Sequence, residues 1–303
     1  MDRLHLLTVF VAVAEEAGFA AAARRLGMSP PAVTRAIAAL EDRLGVKLLN
    51  RTTRHVRVTE PGQRYLDDAR RIMSEMDEAD AAVAGINAEP KGQLAITAPV
   101  LFGKMFVMPG IVDYLQRYPD MEISALFLDR VVNLMEEGLD VGIRIGELPD
   151  SSMKAIRVGQ VRRVLCAAPA YLAQHGVPHT PADLAHHTIV AASGLSPVPE
   201  WRFFQHGQPL SVRVKPRLIV TSNDAAIEAV RNGFGLTRLM SYQIAPYLAS
   251  GELQIVLSEF EPTVLPIHVL HRESRHASAK VRTFVDVISA RLRANVALNE
   301  LRL

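Results

Sequence analysis

The chain has 303 residues, 49% of them hydrophobic and 22% charged, with 18 Gly, 18 Pro and one Cys. That length supports two or three domains, and that balance excludes a disordered chain, a collagen-like repeat and a disulfide scaffold. A net charge of only +2 excludes a uniformly basic surface, so any nucleic-acid footprint must be local.

The charge is indeed uneven. Residues 1–58 hold nine Lys and Arg against five Asp and Glu, whereas residues 59–90 hold three against eight. A basic head followed by an acidic connector puts the phosphate-binding footprint at the N-terminal end. Met1-Asp2-Arg3 leads straight into an amphipathic segment without the apolar core of a secretory signal, and no apolar run reaches about 18 residues. A cytoplasmic protein with no membrane partner is expected. Cys166, inside the apolar run Val164 to Ala168, reads as a buried structural thiol.

Leu4, Leu7, Phe10, Val11 and Ala14 mark the inner face of a first helix. After Gly18 a short Ala-rich helix follows, in which Ala22, Ala23 and Leu26 pack inward. Arg24 and Arg25 point outward, and the pattern leaves open whether they are solvated or grip a phosphate backbone. Gly27 breaks this helix, Ser29 is a natural N-cap, and Pro30 falls at the first helical position, where its missing N–H is not needed. In the third helix Val33, Ile37, Leu40 and Leu44 form one stripe, opposite Pro31, Arg35, Ala38 and Asp42. Two short helices joined by a tight Gly-containing turn form a helix-turn-helix, whose second member offers Ser29, Pro30, Pro31, Ala32, Thr34 and Arg35 to the DNA major groove. An ordinary helical hairpin is the alternative. Lys47 to Asn50 and Val56 to Val58 then read as two strands. Their connection makes a basic wing, with Arg51, Thr52, Thr53, Arg54 and Arg57 sited for phosphate contacts.

A long helix is expected from Thr59, its N-cap, to about Ala88, before the break at Pro90-Lys91-Gly92. Tyr65, Ala69, Ile72, Met76, Ala79, Val83 and Ile86 recur alternately at four and three residues. This 3.5-residue period favours coiled-coil pairing with a second copy, because a helix of roughly 45 Å outreaches a small head. Packing of the seam on its own domain is the competing reading.

Beyond Gly92 strands and helices alternate, which is α/β. Strands are expected at Gln93 to Ala98, Met121 to Leu128, Leu139 to Ile145 and Val161 to Ala168, then near Ile189, Leu218, Leu236, Ile255 and Ile267 to Leu270. Helices are expected at Phe102 to Arg117, Val131 to Glu137, Ala170 to Gln174, Asp224 to Asn232 and Ala277 to Leu292. Enzyme motifs fail. Gly233 to Gly235 lacks the last glycine of a dinucleotide fingerprint, no phosphate-cradling GxxxxGK[ST] and no GxSxG elbow occur, and His186-His187 and His271/His276 lack metal-ligand companions. No catalytic residue, cofactor or metal is expected.

The run LxxFVAVAEEAGFAAAARRLGMSPPAVTRAIAALEDRLGVKLLNRTTRHVRVTEPG from Leu7 to Gly62 resembles the winged helix-turn-helix of LysR-type transcriptional regulators. TAPVLFG, RYPDMEI, NLMEEG, LDVGIRIGELPDSS and NGFGL resemble the same family's effector-binding domain. The resemblance implies an α/β multidomain chain: a winged helix-turn-helix at 1–58, a linker helix at 59–90 that dimerises, and an effector domain at 91–303. That domain would be similar to type 2 periplasmic binding proteins, with one lobe from 91–161 and 266–303 and another from 162–265. It also implies operator DNA and a small-molecule effector as partners, a dimer or dimer of dimers, and RNA polymerase if the protein activates. A small ligand would bind between the lobes, at strand ends and helix N-termini. The candidates are Ala98, Pro99, Val100, Leu101, Phe102, Leu128, Asp129, Arg144 and Ile145 from one lobe, and Ser193, Gly194, Ser222, Asn223 and Leu239 from the other. A structural ion pair for Arg144 and a helix cap for Asn223 are the alternative readings. Family members often have Gln at position 30 and Ser or Thr after the first strand. Pro30 departs from the first, so that polar base contact is not carried over, and Ala98-Pro99-Val100 departs from the second, which favours a more apolar effector. A solute-binding protein and an architectural DNA protein are the rival readings; the first leaves the DNA-binding head unexplained, the second the cleft.

Overall fold

The computed structural model describes residues 2–51, 56–84, 89–148, 153–192, 200–272 and 278–299, with the backbone alone at 51, 74–75 and 77–84. Thr52, Thr53, Arg54, Ile86, Ser193 and Gly194 lie outside the described residues, and so do the side chains of Arg51, Ala79 and Val83. The chain divides into two compact units, Met1–Gly92 and Gln93–Leu303.

The first unit packs α1 (Arg3–Glu15), α2 (Phe19–Leu26) and α3 (Pro30–Leu44) around one core, followed by β1 (Leu49–Arg51), β2 (Val56–Val58) and α4 (Glu60–Ala84). Gly27 takes the left-handed conformation that ends α2, and Met28 N–H returns to Ala23 O at 2.9 Å, which sets the tight turn into α3. β1 and β2 are antiparallel, with Leu49 opposite Val58. Thr59 is the N-cap of α4: its hydroxyl accepts from Gly62 N–H at 3.0 Å and donates to Lys47 O at 2.8 Å. A Cβ on Gly62 would lie 2.1 Å from Leu48 O, so only glycine lets α4 start this close to β1.

The second unit holds two five-stranded sheets. The first is built from β3 (Gly92–Ala98), β4 (Met121–Phe127), β5 (Val141–Ile145), β6 (Met153–Val161) and the late β14 (Leu265–Arg272), in the order β4-β3-β5-β14-β6. α5 (Val100–Phe102), a π-helical turn at Gly103–Val107 and α6 (Met108–Arg117) form one continuous helical segment over it. Pro109 has no N–H, and the widened turn precedes it, with Met108 N–H bonding Gly103 O. The second sheet comprises β7 (Arg163–Ala167), β8 (Ile189–Ala192), β11 (Pro216–Val220), β12 (Leu236–Met240) and β13 (Gln254–Val256), in the order β11-β8-β12-β7-β13. β9 (Glu200–Gln205) and β10 (Gln208–Arg213) form a separate hairpin. Around this sheet lie α7 (Pro169–His175), α8 (Asn223–Arg231) and α9 (Ser241–Ala249), and the chain returns through β14 to α10 (Ala279–Arg293). The passage between sheets is held at Arg162, whose carbonyl accepts from Ser241 N–H at 2.8 Å and whose guanidinium pairs with Glu261 at 3.3 Å.

Several expectations change. Val131 to Glu137 is not a helix: only one turn forms, where Glu137 N–H reaches Asn133 O at 3.1 Å. Asn133 Oδ1 accepts from Met135 N–H, also at 3.1 Å, a local side-chain bond that competes with helix. β6, the β9–β10 hairpin and α9 were not anticipated. α9 carries Pro246 in its interior, which reads as a breaker in sequence. The hairpin had a usable signal: Trp201 and Phe203 alternate inward, and His206-Gly207 turns with φ of 49° and 75°. Leu44 is exposed rather than part of the α3 stripe, and Glu41 is buried beside Ile37 and Leu40 instead.

Candidate DNA-reading face and inter-lobe cleft

The buried side of α3 is Val33, Ala36, Ile37, Leu40 and Glu41, which fixes the opposite arc outward. Ser29, Pro30, Pro31 and Arg35 are exposed there, and Ala32 and Thr34 are half-buried. Ser29 stands at the N-cap position, though its hydroxyl makes no capping bond. Arg35 has no ion pair among the described residues. Arg25 points outward as expected but is not a free cation: Glu15 binds it at 2.8 Å and Glu16 at 3.4 Å. Arg57 is exposed on β2.

Glu41 was missed because a carboxylate on an apolar stripe reads as an interruption. It is 4% exposed. One oxygen accepts from Leu48 N–H at 3.0 Å and Leu49 N–H at 3.2 Å, and the other from Lys47 Nζ at 2.6 Å. The carboxylate thereby ties the end of α3 to the wing's first strand. Burial raises its pKa, but the Lys47, Leu49 and Leu48 bonds outweigh it and hold the group below the usual glutamate value. With the folded value depressed, this contribution is complete above the ordinary glutamate range and is lost as pH falls through the depressed value. Glu41→Ala is expected to destabilise the head by about 1–3 kcal/mol for each stranded N–H. Amide exchange at Leu48 and Leu49 checks it, and unchanged protection there would remove Glu41 from this role.

The linker seam divides in two. Ala69 is fully buried, and the Tyr65 ring meets Phe10 at a tilt of 49° with ring centroids 5.7 Å apart. Arg70 adds bonds to Glu15 at 3.0 and 3.1 Å. These two seam positions therefore pack on their own head, a correction to the dimerisation set, because α1 supplies the apolar face that they need. Ile72 is 38% exposed and Met76 45% exposed, so these two seam positions are not packed into the head.

In the second unit Ala98, Leu101, Phe102 and Leu239 belong to the core rather than to a ligand surface. The Phe102 ring meets Tyr242 edge-on at 5.4 Å, and Phe106 meets Tyr242 at 5.7 Å. Their apolar bulk is used in joining α5 to α9. Leu128 and Ile145 are half-buried against core clusters. Arg144 donates to Val132 O at 3.1 Å, and burial lowers its pKa, so it serves structure through a carbonyl rather than an acid. Cys166 is buried as expected, its thiol pushed up to about 12 by burial.

Val100, Asp129 and Asn223 meet at the boundary of the two lobes, and Pro99 and Ser222 precede two of them in the chain. Ser222 Oγ, not Asn223, caps α8 by accepting from Ala225 N–H at 3.2 Å. Asn223 Nδ2 instead donates to Asp129 Oδ2 at 3.1 Å, while Asp129 Oδ1 accepts from Val100 N–H at 3.0 Å. One carboxylate thus takes a donor from each lobe across 94 residues of sequence. Among the described residues no cluster of His, Cys, Asp and Glu could hold a metal ion, and no helix is long and apolar enough to cross a membrane.

A winged helical head and a two-lobed α/β unit define the class of a DNA-binding regulator with a separate sensor domain. The comparisons with known proteins agree. Residues 4–63 match the bacterial regulatory helix-turn-helix protein, lysR family, and residues 87–293 match the LysR substrate binding domain. The chain is 33% identical over 288 residues to an HTH-type transcriptional repressor of Pseudomonas aeruginosa, covering 94% of this chain and 91% of that one. It is 31% identical over 291 residues to the HTH-type transcriptional activator AaeR of Escherichia coli, covering 95% and 94%. The structure of CrgA, a LysR-type transcriptional regulator from Neisseria meningitidis, superposes with a TM-score of 0.61 at 30% identity, covering 96% of this chain and 99% of that one. The chain belongs to the LysR family of DNA-binding transcriptional regulators, which are not enzymes, and it carries that family's effector-binding domain.

Proposed function

We propose that the exposed arc of α3 reads operator bases, that the wing holds phosphates, and that a small molecule entering between the lobes of the second unit modulates this binding. Two copies pair through the outer half of α4, and a dimer of dimers then presents two pairs of heads. The protein works in the cytoplasm, and it contacts RNA polymerase if it activates. The observation that carries the reading is the α3 arc from Pro30 to Arg35, turned outward by a fully buried opposite stripe.

On that arc Pro31 and Ala32 offer only apolar contact, suited to thymine methyl groups, so direct readout is sparse. Arg35→Ala is expected to cost about 1–3 kcal/mol and to relax specificity at one step per half-site. Loss of Arg54 or Arg57 weakens all sequences alike and flattens the salt dependence by roughly one unit of slope per lost phosphate contact. Binding isotherms on wild-type and single-base-substituted operators at several salt concentrations separate the two behaviours. A uniform loss for Arg35→Ala with a reduced salt slope makes it a backbone contact and leaves specificity to DNA shape.

The effector half is tested by filling the cleft. Ligand and DNA are coupled only through the ligand's difference in affinity for the two states. Val100→Trp is expected to keep operator affinity within about twofold while abolishing the response to metabolite extract in an occupancy assay, given that each tenfold change is about 1.4 kcal/mol. A normal response would put the pocket elsewhere.

A further inference from the structure

We propose that Asp129 sets the chemical class of the effector: it excludes carboxylates from the cleft and selects uncharged or cationic molecules that donate a hydrogen bond. This rests on the reading of the inter-lobe cleft as the effector site and deepens it. The Asp129 side chain stands after β4 in one lobe, and its two oxygens are taken by Val100 N–H at 3.0 Å and by Asn223 Nδ2 of the other lobe at 3.1 Å. Two donors that could greet an incoming carboxylate here, one from each lobe, are therefore already engaged by a carboxylate of the chain itself.

Among the described residues no Lys, Arg or His forms an ion pair with that carboxylate. Arg130, the next residue, is bound to Glu137 by two bonds at 2.7 and 3.1 Å. Arg144 is committed to Val132 O. Asp224, in the first turn of α8 beside Asn223, adds a second negative charge. Across the boundary the buried Tyr242 phenol is pushed above its ordinary value by burial and then by the Asp129 charge, so the field of this carboxylate reaches the aromatic contact that joins the lobes. Val100 beside it is exposed, and Phe106, which meets Tyr242 at 5.7 Å, is half-buried against the core. An entering molecule can part the lobes at this point by donating to Asp129 in place of Asn223. A carboxylate cannot make that exchange, because it brings a like charge and no proton.

Asp129→Ala in the full chain removes the charge and frees both donors. Thermal unfolding is followed against acetate and benzoate, with chloride at equal ionic strength as the reference. The expected result is saturable stabilisation of the variant by at least one of the two carboxylates, at a concentration at least about tenfold below any effect on the wild type, as expected for relief of a like-charge contact of about 1.4 kcal/mol or more. Equal responses overturn the proposal, whether both proteins are stabilised or neither is. Asp129→Ser, which retains a hydroxyl for Val100 N–H, replaces the alanine variant if the latter lacks a cooperative transition, with the same two outcomes. The regulatory reading stands or falls separately: if Val100→Trp responds normally to metabolites while Asp129→Ala gains carboxylate binding, the selectivity holds and the cleft's regulatory role does not.

Discussion

Met76→Asp and Ile72→Asp are expected to leave the head folded and reduce the chain to monomers, whereas Ala69→Asp is expected to unfold the head itself. All three lie on the same 3.5-residue seam of α4, yet their surroundings differ. Ala69 is packed against α1 with no exposed surface, while Ile72 and Met76 stay substantially exposed within a single chain. A carboxylate at Ala69 would be buried without a partner, at a cost on the order of several kcal/mol. At Met76 the same charge is harmless until a second helix covers it. Light scattering read beside far-ultraviolet circular dichroism separates the two effects. A Met76→Asp chain that remains a full-strength dimer would move the assembly surface off α4, and an Ala69→Asp head that stays folded would return Ala69 to the intermolecular seam.

Phe102→Ala is expected to destabilise the second unit by about 3–5 kcal/mol, the usual effect of deleting a fully buried aromatic ring. The ring has no exposed surface and packs against Phe106 and Tyr242. Part of the loss comes from the edge-on contact with Tyr242, for which aromatic pairs contribute about 0.5–1.5 kcal/mol beyond burial. Urea unfolding of the ligand-free protein measures it. A change below about 1 kcal/mol, within the range of an ordinary surface substitution plus error, would mean that Phe102 is not a packing element and would restore it as a ligand contact.

The head was legible because its determinants are local. Gly27, Ser29 and Pro30 punctuate the chain within four positions, and the 3.6-residue period of α3 orients each side chain about that helix's own axis. The basic wing and acidic linker could likewise be counted. The fold class of the second unit was legible from alternating strands and helices, although β6, the β9–β10 hairpin and α9 were hidden by mixed composition and an internal Pro246.

What periodicity cannot specify is which neighbour an inward or outward side chain meets. The 3.5-residue seam identified one face of α4, but only the position of Phe10 on α1 decides that Tyr65 packs inside the head while Met76 does not. Glu41 reads as a break in an apolar stripe until the start of the wing brings two backbone N–H groups and Lys47 to it. Strand ends nominated Phe102 and Leu239 for the cleft, and core packing withdrew them because apolar side chains at those ends gain more by meeting each other than by facing solvent. The sequence by itself determined a helix-turn-helix head, an acidic linker and an α/β sensor. Only the tertiary structure decided that Asp129 meets Asn223, 94 positions away, because a hydrogen bond of 3 Å depends on two lobes being folded against one another and leaves no periodic trace in either segment.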